Sequence, residues 1–125
     1  MRTIIAGSRD ITDQSVVDSA ILESGFSVTS VVCGEARGVD LLGKRWANKQ
    51  KVPVMSFPAQ WNLHGKSAGF IRNTEMAENA DALIAIWDGS SRGTKMMIDI
   101  AKKKGLVVFV KTVSHNIQEQ NEEEG

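Results

Sequence analysis

Short apolar runs alternate with longer amphipathic segments along most of the chain. Runs of four to six mostly β-branched and aliphatic residues predict five strands, over 3–6, 28–33, 52–57, 82–87 and 106–110. Apolar positions three and four residues apart predict the helices that join them, over 12–23, 39–49, 66–79 and 94–104. Because strands and helices alternate, we expect right-handed crossovers and a mostly parallel sheet.

The same pattern indicates where the strands lie in that sheet. Pro53 interrupts the third strand and is typical of an edge, whereas the second and fourth strands are apolar nearly throughout. We predict a Rossmann-like three-layer α/β sandwich with five strands in the order 3-2-1-4-5. That order places the first and fourth strands side by side at the centre, so the loops that follow them are neighbours.

Charge divides the chain into two parts. Its 125 residues carry fifteen basic and fifteen acidic side chains, but four of the acids (Glu119, Glu122, Glu123 and Glu124) lie in the last eleven residues. Residues 1–114 therefore carry fifteen basic and eleven acidic groups, a net of +4, which suits an anionic ligand but is too weak for non-specific nucleic-acid binding. We predict one domain over 1–112 and an acidic, disordered tail over 113–125.

Composition excludes several kinds of site. Cys33 is the single cysteine, so no disulfide forms within one chain, and we expect a small core residue there. His64 and His115 are not spaced as metal ligands, and we expect neither a metal nor a cofactor. No apolar run approaches the length of a membrane span, and we expect a cytoplasmic location.

Three loops that follow predicted strands are suited to an anion. In the first loop, residues 7–10, Gly7 lets a ligand approach the backbone, and Ser8 and Arg9 can donate to phosphate oxygens. Ligands of open parallel sheets bind at the carboxyl ends of the strands, where this loop lies. The competing interpretation is a plain turn between a strand and a helix.

The second loop, residues 33–40, places Arg37 between two glycines where a helix begins, and guanidinium and backbone N–H groups together favour an anion. Asp40, in the first helical turn, either binds a ribose hydroxyl or favours the helix dipole. Glu35 either acts as an acid or base in a reaction, or is simply a solvated loop residue.

The third loop, residues 88–94, has the strongest composition for a phosphate cradle: Asp-Gly-Ser-Ser-Arg-Gly-Thr before a helix. It is not a Walker A loop, because the GxxxxGK[ST] pattern is absent. The alternative is a tight turn.

A fourth segment, residues 61–73, mixes aromatic, basic and amide side chains. Trp61 either stacks on a base or covers the edge of the core. Lys66 and Arg72 are candidates for phosphate contacts, although Lys66 is alternatively a solvated surface residue. Asn73 either contacts a sugar or orders a loop. Gly69 is unusual in a predicted helix, because glycine there costs about 1 kcal/mol relative to alanine.

Four motifs, in order over residues 2–110, resemble one family: Gly7-Ser8-Arg9, the second loop, residues 61–73 and Trp87 with the third loop. They resemble the SLOG superfamily, which includes the LOG phosphoribohydrolases and the DNA-processing protein DprA. The nearest match is the YspA/YpsA-related branch, often bacterial or phage-encoded. The resemblance implies a homodimer or larger assembly that binds a nucleotide or derivative, such as an ADP-ribose-like signal, as a sensor or sequestering protein.

Together the loops and the resemblance predict a ligand-binding set. Its members are Gly7, Ser8, Arg9, Gly34, Arg37, Gly38, Asp40, Trp61, Lys66, Arg72, Asn73, Asp88, Gly89, Ser91, Arg92, Gly93 and Thr94.

The resemblance to this family also leaves two other activities open. A nucleotide N-glycosidase of LOG type would use Glu35, Asp40 or Asp88 as its carboxylate. The position of the catalytic glutamate of LOG enzymes corresponds to Met97, which cannot transfer a proton, and this favours binding over catalysis. Single-stranded DNA binding of DprA type would need a basic stripe, and the chain offers the run Lys102–Lys104.

Overall fold

Five parallel strands form the centre of the fold in the predicted order, 3-2-1-4-5. The structure is a computed structural model, and it describes residues 1–114. The strands are β1 (Arg2–Gly7), β2 (Ser30–Cys33), β3 (Val54–Ser56), β4 (Ala82–Trp87) and β5 (Val107–Thr112). In register, Gly7 at the end of β1 lies beside Ile86 of β4, so the first and third loops leave the sheet side by side.

Helices cover both faces of the sheet. They are α1 (Gln14–Ser24), α2 (Val39–Lys49), α3 (Trp61–His64), α4 (Ala68–Glu78) and α5 (Arg92–Lys103). Successive side chains of a strand point to opposite faces: Ile5 packs with Val17 and Leu42 from α1 and α2, and Ile4 packs with Met76 and Met97 from α4 and α5. The predicted three-layer α/β sandwich is confirmed, and Cys33 is a fully buried core residue.

Helix starts differ from the predictions where a side chain competes for the cap. Asp13 rather than Thr12 caps α1, because its carboxylate accepts the N–H of Ser15 at 3.0 Å. Helix α5 begins at Arg92, two residues before its predicted start at 94, since Ser91 caps it. The segment 58–65, predicted as a loop, contains α3, which is followed by a 3₁₀ turn over Gly65–Ser67.

Helix α2 lies unusually close to the sheet. A Cβ atom on Gly43 would lie 2.6 Å from Cγ2 of Ile5, so only glycine lets the helix approach β1 this far. This packing fixes the start of α2 beside the carboxyl end of β1.

No helix within residues 1–114 is long and apolar enough to cross a membrane. The same residues contain no cluster of histidine, cysteine and acidic side chains arranged to hold a metal. Apart from 113 and 114, the predicted acidic tail lies outside the described residues.

Candidate functional site

Buried Ser8 holds the first, second and third loops together. Its N–H donates to the carbonyl of Ile86 at 3.1 Å, and its own carbonyl accepts the N–H of Val39 at 3.4 Å. Its hydroxyl accepts the N–H of Asp88 at 3.0 Å, and the side chain is 1% exposed. Ser8 therefore orders the loops around it, and its role as a donor to phosphate stays a prediction.

Gly38 brings the second loop against the first. Its φ of 79° lies in the region that favours glycine, and a Cβ atom there would lie 2.5 Å from the carbonyl oxygens of Ser8 and Arg9. The start of α2 therefore packs closely against the backbone of Arg9.

A cleft opens where these loops meet α4 and α5. Its deeper cavity, of about 150 Å³, is lined by Ala6, Gly7, Arg9, Ala36, Asp40, Trp61, Gly69, Arg72, Asn73, Met76, Ser91, Gly93, Thr94, Met96 and Met97. An adjoining outer cavity, of about 340 Å³, shares Arg9, Ala36, Trp61 and Arg72 with it and adds Gly34, Glu35, Arg37, Pro58 and Ala59. Four of the loops and segments singled out in the sequence therefore converge on one cleft.

Asp40 is a buried carboxylate in the deeper cavity. The side chain is 5% exposed, and Oδ2 accepts the N–H of Ala36 at 3.3 Å. Burial raises the pKa of this carboxyl to about 6, against the opposing effects of Arg72 and of the backbone N–H groups of Ala36 and Gly7. The fold therefore buries an ionisable carboxyl group although burial disfavours its charged form.

Arg72 and Asn73 form a fixed pair beside Asp40. Nε of Arg72 donates to Oδ1 of Asn73 at 2.8 Å, and Nη1 donates to the carbonyl of Gly34. A Cβ atom on Gly34 would lie 2.7 Å from both Arg72 Nη1 and Asp40 Oδ2, so a larger residue here would displace one of these side chains. The guanidinium is thus tied to the second loop from α4.

The first turn of α5 forms another wall. The hydroxyl of Ser91 accepts the N–H of Thr94 at 3.4 Å, and the two hydroxyls lie 3.1 Å apart. The N–H groups of Arg92 and Gly93 have no protein acceptor within residues 1–114, and Gly93 lines the deeper cavity. A helix N-terminus with free N–H groups favours negative charge.

Trp61 covers the mouth of the cleft. The indole is 53% exposed and lies against α4, where its Cη2 would be 3.7 Å from a Cβ atom on Gly69. Sequence reasoning did not identify Ala36, Met76 or Met96 as lining residues, since small and apolar residues in helices and loops carry no distinctive pattern. Met97 is 1% exposed and contributes apolar surface to the floor.

The other two candidate acids, Glu35 and Asp88, have lowered pKa values because neighbouring groups donate hydrogen bonds to them. Glu35 accepts from Ser56 Oγ at 2.6 Å and from Lys44 Nζ at 2.9 Å, and these contacts hold its pKa below the usual value. Asp88 accepts the N–H groups of Ser90 and Ser91 at 2.9 and 2.8 Å, and its pKa is also lowered. The anionic charge of Glu35 is thus balanced by Lys44.

The remaining predicted residues lie outside the deeper cavity. Arg37 lines the outer cavity, is 74% exposed and lies 3.7 Å from Asp10. Lys66, Gly89 and Arg92 are exposed and line neither cavity. The run Lys102–Lys104 lies at the C-terminal end of α5, whereas the N-terminal end of this helix lines the cleft.

Comparison with known proteins agrees with the motifs. The model of the YspA, cpYpsA-related SLOG family matches residues 1–64. The chain is 36% identical over 118 residues to the Gene 61 protein of Mycobacterium phage D29, an alignment that covers 86% of this chain and 94% of that protein. No solved structure matches. The matched region contains the first and second loops, and the chain belongs to the YspA, cpYpsA-related SLOG family.

Proposed function

We propose that the cleft binds a phosphate-bearing nucleotide derivative, such as an ADP-ribose-like molecule, and that the protein acts as a sensor or a sequestering protein. One observation carries the proposal: Arg9, Arg72 and the free N–H groups at the start of α5 surround a single cavity. Membership of a SLOG family supports a nucleotide-related ligand in general.

Arg9 is the residue best suited to hold a phosphate. It is exposed, lines both cavities and makes no ion pair within residues 1–114. An arginine without a protein acceptor keeps its five N–H donors available for phosphate oxygens. Arg72 adds positive charge from the other side but is already committed to Gly34 and Asn73.

The dimensions and the apolar surfaces of the cleft favour a ligand larger than phosphate. Trp61 offers a half-exposed aromatic face at the mouth, where a base can stack. The outer cavity continues from the deeper one past Arg9 and Arg72, so a ligand with groups on both sides of these arginines fits the shape.

Isothermal titration calorimetry with ADP-ribose, ADP and AMP tests the proposal. Arg9→Ala is expected to weaken binding by roughly 1.5–3 kcal/mol, about 10- to 150-fold, the scale of a hydrogen bond to a charged group. Arg45→Ala removes the same charge from an exposed position on α2 that lines neither cavity, and should leave affinity unchanged. Absence of binding of all three compounds at millimolar concentration would refute the proposal.

A nucleotide N-glycosidase is the second candidate, and Asp40 is the observation that favours it. Of the three candidate acids, Asp40 alone lines the deeper cavity, and a carboxyl whose pKa is raised to about 6 can act as an acid near neutral pH. Chromatography of AMP and ADP-ribose after prolonged incubation would reveal a released base. Turnover that Asp40→Asn abolishes would favour this activity over binding alone.

We further propose that the protein is cytoplasmic and that it forms a homo-oligomer; the family resemblance implies the oligomer. The exposed apolar side chains of Trp61, Leu63 and Phe70 on α3 and α4 are available for a contact between copies. Light scattering of the purified protein measures the assembly directly, and a monomer at all concentrations would contradict this.

A further inference from the structure

The amide of Asn73 has one possible orientation. Arg72 can only donate hydrogen bonds, so the atom that faces its Nε must be the amide oxygen, as found at 2.8 Å. The NH₂ group of Asn73 therefore points away from Arg72. Asn73 is 5% exposed and lines the deeper cavity, and its Nδ2 has no acceptor within residues 1–114. This donor faces the open cavity, and a ligand that displaces water from it must supply an acceptor in return.

Asp40 presents the opposite chemistry in the same cavity. Above a pH of about 6 its carboxylate is ionised and accepts hydrogen bonds without donating any. The backbone N–H groups that lie against it, of Ala36 and Gly7, leave further lone pairs unused. The cavity therefore contains an acceptor with spare capacity as well as a donor without a partner.

Asp40 and Asn73 line the same cavity, so together they restrict the chemistry of a ligand group that contacts both. A phosphate oxygen would satisfy Asn73 but would be repelled by the carboxylate of Asp40. A hydroxyl satisfies both, since it donates to Asp40 and accepts from Asn73. Arg9 remains free for the phosphate, so the cleft has one region for an anion and another for a sugar hydroxyl.

We infer that Asp40 and Asn73 recognise a ribose hydroxyl, so that the cleft discriminates ribonucleotides from their deoxy analogues. The inference rests on the proposed function and specifies its ligand class further. A deoxy analogue would bury the donor and the acceptor with no partner for either. Removing one partner from a buried hydrogen bond is expected to weaken binding at least about tenfold.

Calorimetry with three matched ligands tests this: AMP, 2′-deoxy-AMP and 3′-deoxy-AMP, at pH 7.5. The wild-type protein should bind AMP at least tenfold more tightly than one of the deoxy compounds. Asp40→Asn and Asn73→Ser should lose that preference, and each should bind the weaker deoxy compound as the wild type does. Thr74→Val, a change on the same helix outside the cavity, should retain it.

Each other outcome overturns the inference in a distinguishable way. Equal affinity of the wild type for all three compounds refutes hydroxyl recognition and leaves the proposed function intact. If the preference for AMP survives both substitutions, other residues recognise the hydroxyl. Equal weakening of all three compounds by both substitutions shows that Asp40 and Asn73 only order the loops. Failure of ADP-ribose, ADP and AMP to bind at all overturns the proposed function as well.

Discussion

Replacing the buried Asp40 by asparagine should stabilise the protein at neutral pH. The pKa of the carboxyl rises from 3.8 to about 6 on folding, chiefly because burial disfavours its charge. At about 1.4 kcal/mol for each pKa unit, the ionised carboxylate lowers the free energy of unfolding by about 3 kcal/mol above pH 6. Asparagine is nearly isosteric, and its amide oxygen can still accept the N–H of Ala36.

The pH dependence follows from the direction of this shift. Because the folded-state pKa is raised, the native protein binds more protons than the unfolded chain between about pH 4 and 6. The contribution of this group to stability is present in full below pH 4 and is lost as the pH rises through 6. Wild type and Asp40→Asn should therefore be equally stable at pH 3.5 and differ most above pH 7.

Urea denaturation at a series of pH values from 3.5 to 8 measures the effect. The variant should gain about 3 kcal/mol at pH 7.5, or roughly 10 °C in melting temperature for a domain of this size. Asp99→Asn changes an exposed acid on α5 and should alter stability by less than about 0.5 kcal/mol. A variant that is less stable than the wild type at pH 7.5 would refute the reasoning, because Arg72 and Arg9 would then outweigh burial.

Three further substitutions test how the loops are held, each by urea denaturation. Glu35 has a φ of 63°, a left-handed backbone conformation that strains every residue except glycine. Glu35→Gly should therefore be about 1 kcal/mol more stable than Glu35→Ala, because both variants lose the same contacts and only alanine keeps the backbone strain. The reverse order would contradict this. Ser8→Ala should destabilise by about 1–3 kcal/mol, because the N–H of Asp88 loses its acceptor; an unchanged midpoint would show that Ser8 does not link the loops. Gly38→Ala should destabilise by more than about 2 kcal/mol, since its Cβ meets two carbonyl oxygens, and full stability would disprove the close approach.

Periodicity was enough to predict the architecture because each buried strand carries a nearly continuous apolar run. The bounds of α2 and β4 are as predicted, since glycines and charged residues flank apolar segments of regular period. Helix α3 was missed because four residues make about one turn, too short for a period to show.

The candidate site was less accessible to sequence reasoning, because its geometry depends on contacts between distant residues. Glycine and arginine indicate the loops, but nothing in the sequence indicates that the hydroxyl of Ser8 accepts the N–H of Asp88, eighty residues away. Neither Lys44 nor Ser56 carries a signal that it contacts Glu35. The orientation of the Asn73 amide likewise depends on where Arg72 lies in space.

Nuclear magnetic resonance of the isotope-labelled protein during titration with ADP-ribose tests the central claim most directly. A ligand in the cleft should shift the side-chain NH₂ resonances of Asn73 and the backbone signals of Gly7 and Gly93. The signals of Gly25 and Gly105, which precede β2 and β5 and line neither cavity, should remain unchanged. Shifts confined to residues outside the cleft, or none at millimolar ADP-ribose, would contradict the account.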